Sequence, residues 1–551
     1  MKTTIKIKNF RSLEDVEIEL APLTILVGPN GAGKSSLLKA LRFIGVNLNR
    51  KFSSVPTNTI YKIDRNLDLG NYEQIVTQNE LNREIVFELH IIYDLKYYPL
   101  NDLSGLWDYK SIDNFKLKLD KELNDELIKK LYEVFGSSNR LAKFYLKHNN
   151  IIDVTLSAIF SSFDGNKNLK IFEITNNTND DKLFYNDFYG GKQRSKINYG
   201  ILSIDEDIKP VLNKIINAIP WTLKRPYPDK VFLNKIGSVI TRSNYLNSLP
   251  KKKKDKILSK LFLVVSGIYL YFPALFRKYL DMIHFPSLRK NDLKLKEGNK
   301  RAIMNNRYLD NFNLIPEKSV FEDFVKVFPK LRQLDFRHNK DGRGILLTEE
   351  YINQQREIKK DFSGTSFHYN LFAKLFQLRL CIGVYKKGTD IYIVGLNGGE
   401  FNYKEASSGL TQLFPIIADS VKDPTINPQI SFIEQPELHL HPKLQAKLAN
   451  ILVTEDYCED DPFLYEVAPR YIIETHSEHI IRAFQLRIAE KHDEPGVYHF
   501  YYFDQKDDGI TKVIKLETDK LGNFITPWPN GFFDEAADLS MKLLEAQIRR
   551  N

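Results

Sequence analysis

The segment from Gly28 to Ser35, GPNGAGKS, restricts the fold more than any other part of the sequence. It matches the pattern G-x-x-x-x-G-K-[ST], in which glycines let successive backbone N–H groups converge on phosphate oxygens. The apolar run LTILVG precedes it and SSLLKALRFIG follows it, so the loop joins a buried strand to a helix N-terminus. This context makes a fortuitous glycine-rich turn the weaker interpretation.

We therefore predict a nucleoside-triphosphate site, in which Lys34 reaches the β- and γ-phosphates and the Ser35 hydroxyl ligates Mg²⁺. The residues expected to contact the nucleotide are Asn30, Gly31, Ala32, Gly33, Lys34, Ser35 and Ser36.

The pattern of the chain changes twice along its length. Residues 1–95 carry short strands around the glycine-rich loop, and residues 366–551 alternate apolar strands with helices. Residues 96–365 contain charged helical stretches and polar loops, without a heptad pattern or a repeat of fixed period. We predict an α/β fold built from both ends of the chain, with a large, mainly helical insertion between them.

The charge of the chain is compatible with a nucleic-acid partner. The net charge is +9, and basic residues cluster in the run Lys251 to Lys254 and between Arg277 and Arg307. A solvated helical face is the plainer interpretation of such a run. The sequence has no apolar run of membrane-spanning length and no signal-peptide pattern at its N-terminus. Its two cysteines lack metal-type spacing, so we expect a reducing, cytoplasmic setting.

A second apolar strand, ISFIE, ends in an acid at Glu434. At the carboxyl edge of a parallel sheet this carboxylate would lie beside the phosphates and hold Mg²⁺, together with Ser35. The alternative is a buried strand with an exposed terminal acid, and the glycine-rich loop favours the first interpretation.

Two weaker signals flank this strand. Ser407, Ser408 and Gly409 open a helix, and small residues at a helix N-terminus form a second phosphate-binding surface. His476 follows the next apolar strand, YIIE, and is placed to donate a hydrogen bond to the γ-phosphate. His439 and His441 suggest a metal pair, but no third ligand lies nearby in the sequence, so we favour structural roles for them.

These segments together resemble the ABC-type ATPases of the RecF, SMC and OLD-like group. The resemblance rests on the N-terminal IKNFRSLEDVEIEL with its P-loop, and on EASSG, FIEQPELHLHP and IIETHSEHIIRAFQLRI. The middle of the chain resembles the group only through IHFPSLRKN, Ile283 to Asn291. The resemblance implies an ABC/SMC-type head, with residues 1–95 and 366–551 as its two lobes.

For the site, the resemblance implies ATP and Mg²⁺ as cofactors and Glu434 as the Walker B acid. It implies that Ser407, Ser408 and Gly409 are a signature that contacts the γ-phosphate held by a second subunit. One copy of each motif then makes a homodimer the minimum competent unit, and residues 96–365 the region for dimer, partner or nucleic-acid contacts. His476 becomes the switch histidine that senses the γ-phosphate.

One residue departs from the pattern of the group. Gln435 occupies the position at which ABC ATPases place the glutamate that activates the attacking water. A carboxamide orients water but cannot accept its proton. Glu437, two residues further on, is the candidate substitute. We therefore predict slow hydrolysis, with ATP acting largely as a clamp between subunits.

Members of this group differ in whether a nuclease domain follows the switch histidine, so the segment after His476 is informative. It is too short for the Toprim nuclease of OLD-like proteins, and Asp507-Asp508 is not the Asp-x-Asp of that domain. The chain in this respect is similar to PtuA-type ATPases of the Septu antiphage systems, including those encoded with retrons. That likeness implies a separate HNH nuclease as partner, and in retron versions a reverse transcriptase with its nucleic acid. A RecF-like DNA-repair ATPase is the alternative, and an OLD-like enzyme with its own nuclease is a third hypothesis.

Overall fold

A computed structural model describes both ends of the chain and part of its middle. The described residues are 2–48, 61–63, 68–94, 151–162, 169–176, 181–187, 194–196, 209–218, 230–266, 276, 279–280, 282–287, 314–333, 357, 360–362, 364, 366–388, 390–422, 430–452, 470–490, 495–527 and 535–550. Cys458 and the basic residues at 277, 278 and 289–307 lie outside them.

The strands fall at both ends of the chain and in its middle. In chain order they are β1 (Lys2–Phe10), β2 (Leu13–Leu20), β3 (Leu23–Val27), β4 (Ile85–Asp94), β5 (Ile151–Phe160), β6 (Leu169–Asn176), β7 (Asp181–Asp187), β8 (Arg194–Lys196), β9 (Ile283–Phe285), β10 (Gly383–Lys387), β11 (Asp390–Val394), β12 (Glu400–Asn402), β13 (Ser431–Glu434), β14 (Tyr471–Glu474), β15 (Tyr498–Gln505) and β16 (Thr511–Leu516).

The described α-helices also come from both ends of the chain and from its middle. They are α1 (Lys34–Leu48), α2 (Tyr72–Ile75), α3 (Lys209–Ala218), α4 (Lys230–Thr241), α5 (Asn244–Asn247), α6 (Lys251–Ser266), α7 (Lys318–Gln333), α8 (Ser366–Gln377), α9 (Ser408–Ser420), α10 (Pro442–Leu452), α11 (Glu478–Ala489) and α12 (Glu535–Arg550). Across the described residues, no helix has both the length and the apolar character needed to cross a membrane.

The central sheet carries the P-loop. Its strand order is β16-β15-β3-β14-β13-β9, with parallel pairing throughout except for the antiparallel edge strand β16. Side chains on both faces are buried: Leu26 belongs to one hydrophobic core, and its neighbour Ile25 belongs to the other. Burial on both faces explains the continuous apolar runs of these strands. The expectation of an α/β head built from both ends of the chain is confirmed, because β3 pairs with β14 and β15.

A second sheet of seven antiparallel strands lies against α1, in the order β2-β1-β4-β5-β6-β7-β8. Four of its strands, β5 to β8, come from residues 151–196. These strands were not expected in the mainly helical insertion predicted for residues 96–365, whose other long described elements, α3, α4, α6 and α7, are helices. β5 pairs with β4 along its whole length, from Ile85↔Phe160 to Asp94↔Ile151, and so satisfies backbone groups that β4 would otherwise leave open at the sheet edge.

Residues 96–365 also contribute a strand, β9, to the central sheet. β9 pairs in parallel with β13, and Phe285 lies opposite Ile433. Residues 96–365 are therefore not fully separate from the head, because β9 is the edge strand of the central sheet and pairs with β13. The strand at Asp390, in contrast, belongs to a small antiparallel sheet, β10-β11-β12, rather than to the central sheet.

Candidate functional site

Three neighbouring parallel strands end at one edge of the central sheet. β3 runs into the P-loop, β14 ends at Glu474 and β13 ends at Glu434. The register places Glu474 opposite Leu26 on one side and opposite Glu434 on the other. Ligands of parallel α/β sheets bind outside the carboxyl ends of the strands. The fold therefore puts two carboxylates next to the P-loop.

The P-loop has a left-handed backbone at its three glycines, and at two of them a side chain would also collide with the support of the loop. Gly28 has φ +132° and Gly33 has φ +101°. A Cβ on Gly28 would collide with the carbonyl of Phe503, and one on Gly33 with the hydroxyl of Thr511. The loop is thus pressed against β15 and β16, which leaves Asn30 and Gly31 exposed and Ala32 buried.

Two residues that sequence reasoning missed hold this loop. The Thr511 hydroxyl donates to the carbonyl of Ala32 at 3.0 Å and lies 2.8 Å from the Ser12 hydroxyl, from which it can accept. The N–H of Thr511 donates to the carbonyl of Ser12 at 2.8 Å. Neither residue carries a local signal, because each is recognised only by its contact with a loop far away in sequence.

Lys34 lies inside the loop, with only 3% of its surface exposed. Its Nζ donates to the carbonyls of Gly28 at 2.9 Å and Pro29 at 2.8 Å, and lies 4.0 Å from an oxygen of Glu474. Burial lowers the pKa of Lys34, while the charges of Glu474 and Glu437 oppose that shift. Ser36 begins the regular hydrogen bonding of α1, donating its N–H to the carbonyl of Gly33 at 3.0 Å.

Ser35 contacts Glu474. Its hydroxyl lies 3.2 Å and 3.4 Å from the two carboxylate oxygens of Glu474, which is itself only 5% exposed. Burial raises the pKa of Glu474 to about 7, although the charge of Lys34 and the Ser35 hydrogen bond lower it. Sequence reasoning did not single out Glu474. The signal was available, since this acid ends an apolar strand as Glu434 does.

Glu434 is held from the opposite side, by the segment around β9. His284 Nε2 lies 3.4 Å from one carboxylate oxygen of Glu434, and the N–H of Ser287 donates to the other at 3.3 Å. Burial would raise the pKa of Glu434, but the contact with His284, the Ser287 N–H and the charge of Arg42 outweigh it and hold this pKa below its usual range. The sequence IHFPSLRKN had pointed to this segment without giving it a role.

Gln435 directly follows Glu434 and has φ +40°, a left-handed conformation that is uncommon for a residue other than glycine. Its N–H donates to the carbonyl of Glu474 at 2.7 Å, which ties the ends of β13 and β14 together.

The carboxylate of Glu437 braces the turn that carries His476. One oxygen accepts from the Thr475 hydroxyl at 2.9 Å, and the other accepts from the N–H of His476 at 2.7 Å. This gives Glu437 a structural contact that the sequence did not predict. Activation of water by Glu437 stays a prediction.

The imidazole of His476 has Nε2 buried without a hydrogen-bond partner among the described residues. Burial, and then the charge of Lys34, lower the pKa of His476 to about 4. The ring is therefore neutral near pH 7, and its buried nitrogen is free to serve a ligand as donor or acceptor.

The predicted signature lies on the surface. Ser407 and Ser408 are exposed, and the Ser407 side chain caps α9 by accepting from the N–H of Leu410 at 3.4 Å. Gly409 packs beside Leu440. One turn further into α9, Gln412 Nε2 donates to the carbonyl of Ser287, the residue whose N–H binds Glu434.

The two histidines considered as a metal pair have backbone roles. His441 Nδ1 accepts from the N–H of Lys443 at 3.2 Å at the start of α10, and His439 adopts φ +62°. Within the described part of the chain, no group of three or more His, Cys, Asp or Glu side chains is arranged to hold a metal ion.

The residues at this edge fit a nucleoside triphosphate with a hard divalent cation. The glycines leave no room for a side chain between the loop and its supports, Lys34 supplies a positive charge, and His476 supplies an unsatisfied nitrogen. The Ser35 hydroxyl and carboxylate oxygens are the ligand type that Mg²⁺ prefers.

Comparison with known proteins also indicates a nucleotide-binding protein. A family model described as an AAA ATPase domain matches residues 1–481. The chain is 50% identical over 44 residues to an OLD nuclease of Thermus scotoductus, covering 8% of each chain. It is 39% identical over 64 residues to a RecF replication and repair protein of Erwinia tasmaniensis, covering 11% of this chain and 17% of that one.

Two further similarities are broader and weaker in identity. Endonuclease GajA of Bacillus cereus is 25% identical over 227 residues, covering 39% of this chain and 34% of GajA. An SMC head domain from Thermotoga maritima is 10% identical, with a TM-score of 0.31 over 94% of this chain and 99% of the other. The chain spans about a third or less of the length of the OLD, RecF and GajA relatives.

Proposed function

The chain belongs to the AAA ATPase domain family, and we propose that it binds ATP with Mg²⁺ at Gly28–Ser35 and uses the nucleotide to join two copies of itself. The observation that carries this proposal is the P-loop facing the ends of β13 and β14, with Lys34 and Ser35 turned toward a carboxylate. Bound Mg²⁺ would neutralise phosphate charge and polarise the γ-phosphate.

Each residue at the edge has a role in this proposal. The N–H groups from Asn30 to Ser36 line the phosphates, Lys34 holds the β- and γ-phosphates, and Ser35 and Glu434 hold the cation. The buried Nε2–H of His476 donates a hydrogen bond to the γ-phosphate, so this residue senses the loss of that phosphate.

Hydrolysis is slow in this proposal because Gln435 stands where a general base is needed. The contacts of Glu437 support this, since both of its oxygens already accept hydrogen bonds from the His476 turn. For Glu437 to act on water, that turn would have to release it.

The exposure of Ser407 and Ser408 supports the homodimer. A helix N-terminus with small, exposed residues offers N–H donors to an anion outside its own subunit. Two nucleotides bound between two heads then favour the closed state by their binding free energy.

The biological role we propose is regulation of a separate HNH-type nuclease in an antiphage complex. Similarity to Endonuclease GajA and the sequence resemblance to Septu ATPases support it. In a retron-associated complex, a reverse transcriptase with its nucleic acid would be a further partner. Similarity to RecF supports a second candidate, a DNA-repair ATPase acting without a nuclease. The proteins that co-purify at native expression distinguish the two.

The biochemical part is tested with three variants, by titration of a fluorescent ATP analogue and by sedimentation. Lys34→Ala should weaken nucleotide binding about 100-fold, since it removes charge-assisted hydrogen bonds to phosphate. Ser408→Arg should keep nucleotide binding but lose ATP-dependent dimerisation.

Glu400→Gln serves as the matched control, because Glu400 accepts a hydroxyl hydrogen bond from Tyr385 at 2.7 Å on a different sheet. It should behave as wild type in both measurements. Unchanged nucleotide binding in Lys34→Ala would overturn the proposed site, and unchanged dimerisation in Ser408→Arg would overturn the proposed interface.

A further inference from the structure

We propose that Glu474 is a second carboxylate of the Mg²⁺ site and positions the cation against the P-loop. The proposal rests on the proposed function and assigns a role to a residue outside the P-loop, Walker B and switch-histidine positions. Its basis is the contact of Glu474 with two consecutive P-loop residues, Ser35 and Lys34.

The strand order places Glu474 closer to the P-loop than Glu434. β14 lies directly between β3 and β13, so Glu474 is one strand from the loop and Glu434 is two. Neighbouring strands are about 4.8 Å apart. The carboxylate oxygens of Glu434 contact His284 Nε2 and the N–H of Ser287, both on the β9 segment. The carboxylate that meets the Ser35 hydroxyl is therefore that of Glu474.

The surroundings of Glu474 suit a cation. The side chain is 5% exposed, and its oxygens face a hydroxyl at 3.2 Å and an ammonium group at 4.0 Å. A buried carboxylate costs free energy unless it is paired. With Lys34 turned to the phosphates of ATP, Glu474 and Ser35 would hold a divalent cation, and its positive charge would take the place of the ammonium group beside Glu474. Mg²⁺ is commonly bound through one or two carboxylates plus phosphate oxygens.

A purely structural role is the competing explanation, in which Glu474 only holds Lys34 in place. The two explanations differ in what happens without a cation. If Glu474 holds the lysine, its loss weakens ATP binding even in EDTA. If Glu474 holds the cation, its loss leaves binding in EDTA unchanged or slightly tighter, because one negative charge near the phosphates is gone.

The test uses the full chain with Mn²⁺ as the probe, detected by electron paramagnetic resonance, and a fluorescent ATP analogue titrated in EDTA. For Glu474→Gln we expect the Mn²⁺ affinity of the ATP complex to fall about 10- to 100-fold, as for other losses of metal-orienting groups. Binding of the analogue in EDTA should not weaken. Glu400→Gln should match wild type in both measurements.

The shorter carboxylate in Glu474→Asp keeps the charge and guards against misfolding of the glutamine variant. It should lower the Mn²⁺ affinity about 10-fold and leave binding in EDTA unchanged. Wild-type Mn²⁺ affinity in either folded variant, or weaker binding in EDTA, overturns the proposal. Absence of nucleotide binding by the wild-type chain would instead overturn the proposed function.

Discussion

Glu434 and Glu474 occupy the same position on adjacent strands, yet their surroundings differ. Each is the last residue of a parallel strand, and their Cα atoms are register partners. Glu434 is flanked by His284 and an N–H, which hold its pKa below the usual range. Glu474 is buried against the P-loop, and burial raises its pKa to about 7. The segment packed against each strand end, rather than the strand motif, therefore decides what its terminal acid does.

The largest expected effect concerns whether the two glutamates serve one cation. Glu434→Gln and Glu474→Gln should each slow hydrolysis about 100-fold, and the double variant should lose only a few-fold more, because groups that act as a unit are not additive. Single-turnover hydrolysis at saturating ATP measures this, with Glu400→Gln as the control. If the two losses multiply to about 10⁴-fold in the double variant, the two acids act independently, which contradicts a shared cation.

A smaller effect is expected on thermal stability, and its sign should differ between the two single variants. In EDTA and without nucleotide, Glu474→Gln should raise the unfolding midpoint by about 2 °C, because it removes a buried charge and keeps an acceptor for the Ser35 hydroxyl. Glu434→Gln should lower it by about 2 °C, because it removes the charge that His284 and Ser287 stabilise. Differential scanning calorimetry at pH 8 gives both values. Shifts of the same sign would show that the two surroundings are energetically alike.

The smallest effect is expected for a change in α9 that acts on Glu434 rather than on Glu474. Gln412→Leu removes the donor to the carbonyl of Ser287, and we expect a loss of about 1 kcal/mol in the free energy of unfolding. Because Ser287 also binds Glu434, hydrolysis should fall about 3-fold, which corresponds to less than 1 kcal/mol. The Mn²⁺ affinity of the ATP complex should fall by no more than about 3-fold, less than in Glu474→Gln, because the change reaches the cation only through Ser287 and Glu434. A loss of Mn²⁺ affinity equal to that of Glu474→Gln would contradict this difference.

Sequence reasoning located the elements that depend on local pattern. The P-loop was recognisable because its glycines and the lysine form a contiguous motif between a strand and a helix. The strands β3, β13 and β14 were recognisable as short apolar runs, and α9 begins at Ser408 as the small residues before it predicted.

Other elements were missed. The strands β5 to β8 lie in the middle of the chain, which was interpreted as helices and polar loops. β5, IIDVTLSAIF, carries a β-branched, apolar pattern that could have indicated a strand. β6, β7 and β8 are strands through pairing, each with the strand before it in the chain. β9 is only three residues long, too short for a periodic signal, and it is a strand because β13 has an edge to cover.

Residue type and short-range spacing are enough to identify the phosphate-binding loop and the acids at the ends of apolar strands in this chain. Which acid meets the loop depends on the tertiary structure. The strand order inserts β14 between β3 and β13, so Glu474 reaches Ser35 while Glu434 is bound by His284 and Ser287. It also brought Ser12 and Thr511 under the P-loop. Such contacts depend on which strands become neighbours, and that is set by packing the whole sheet rather than by any local run of residues.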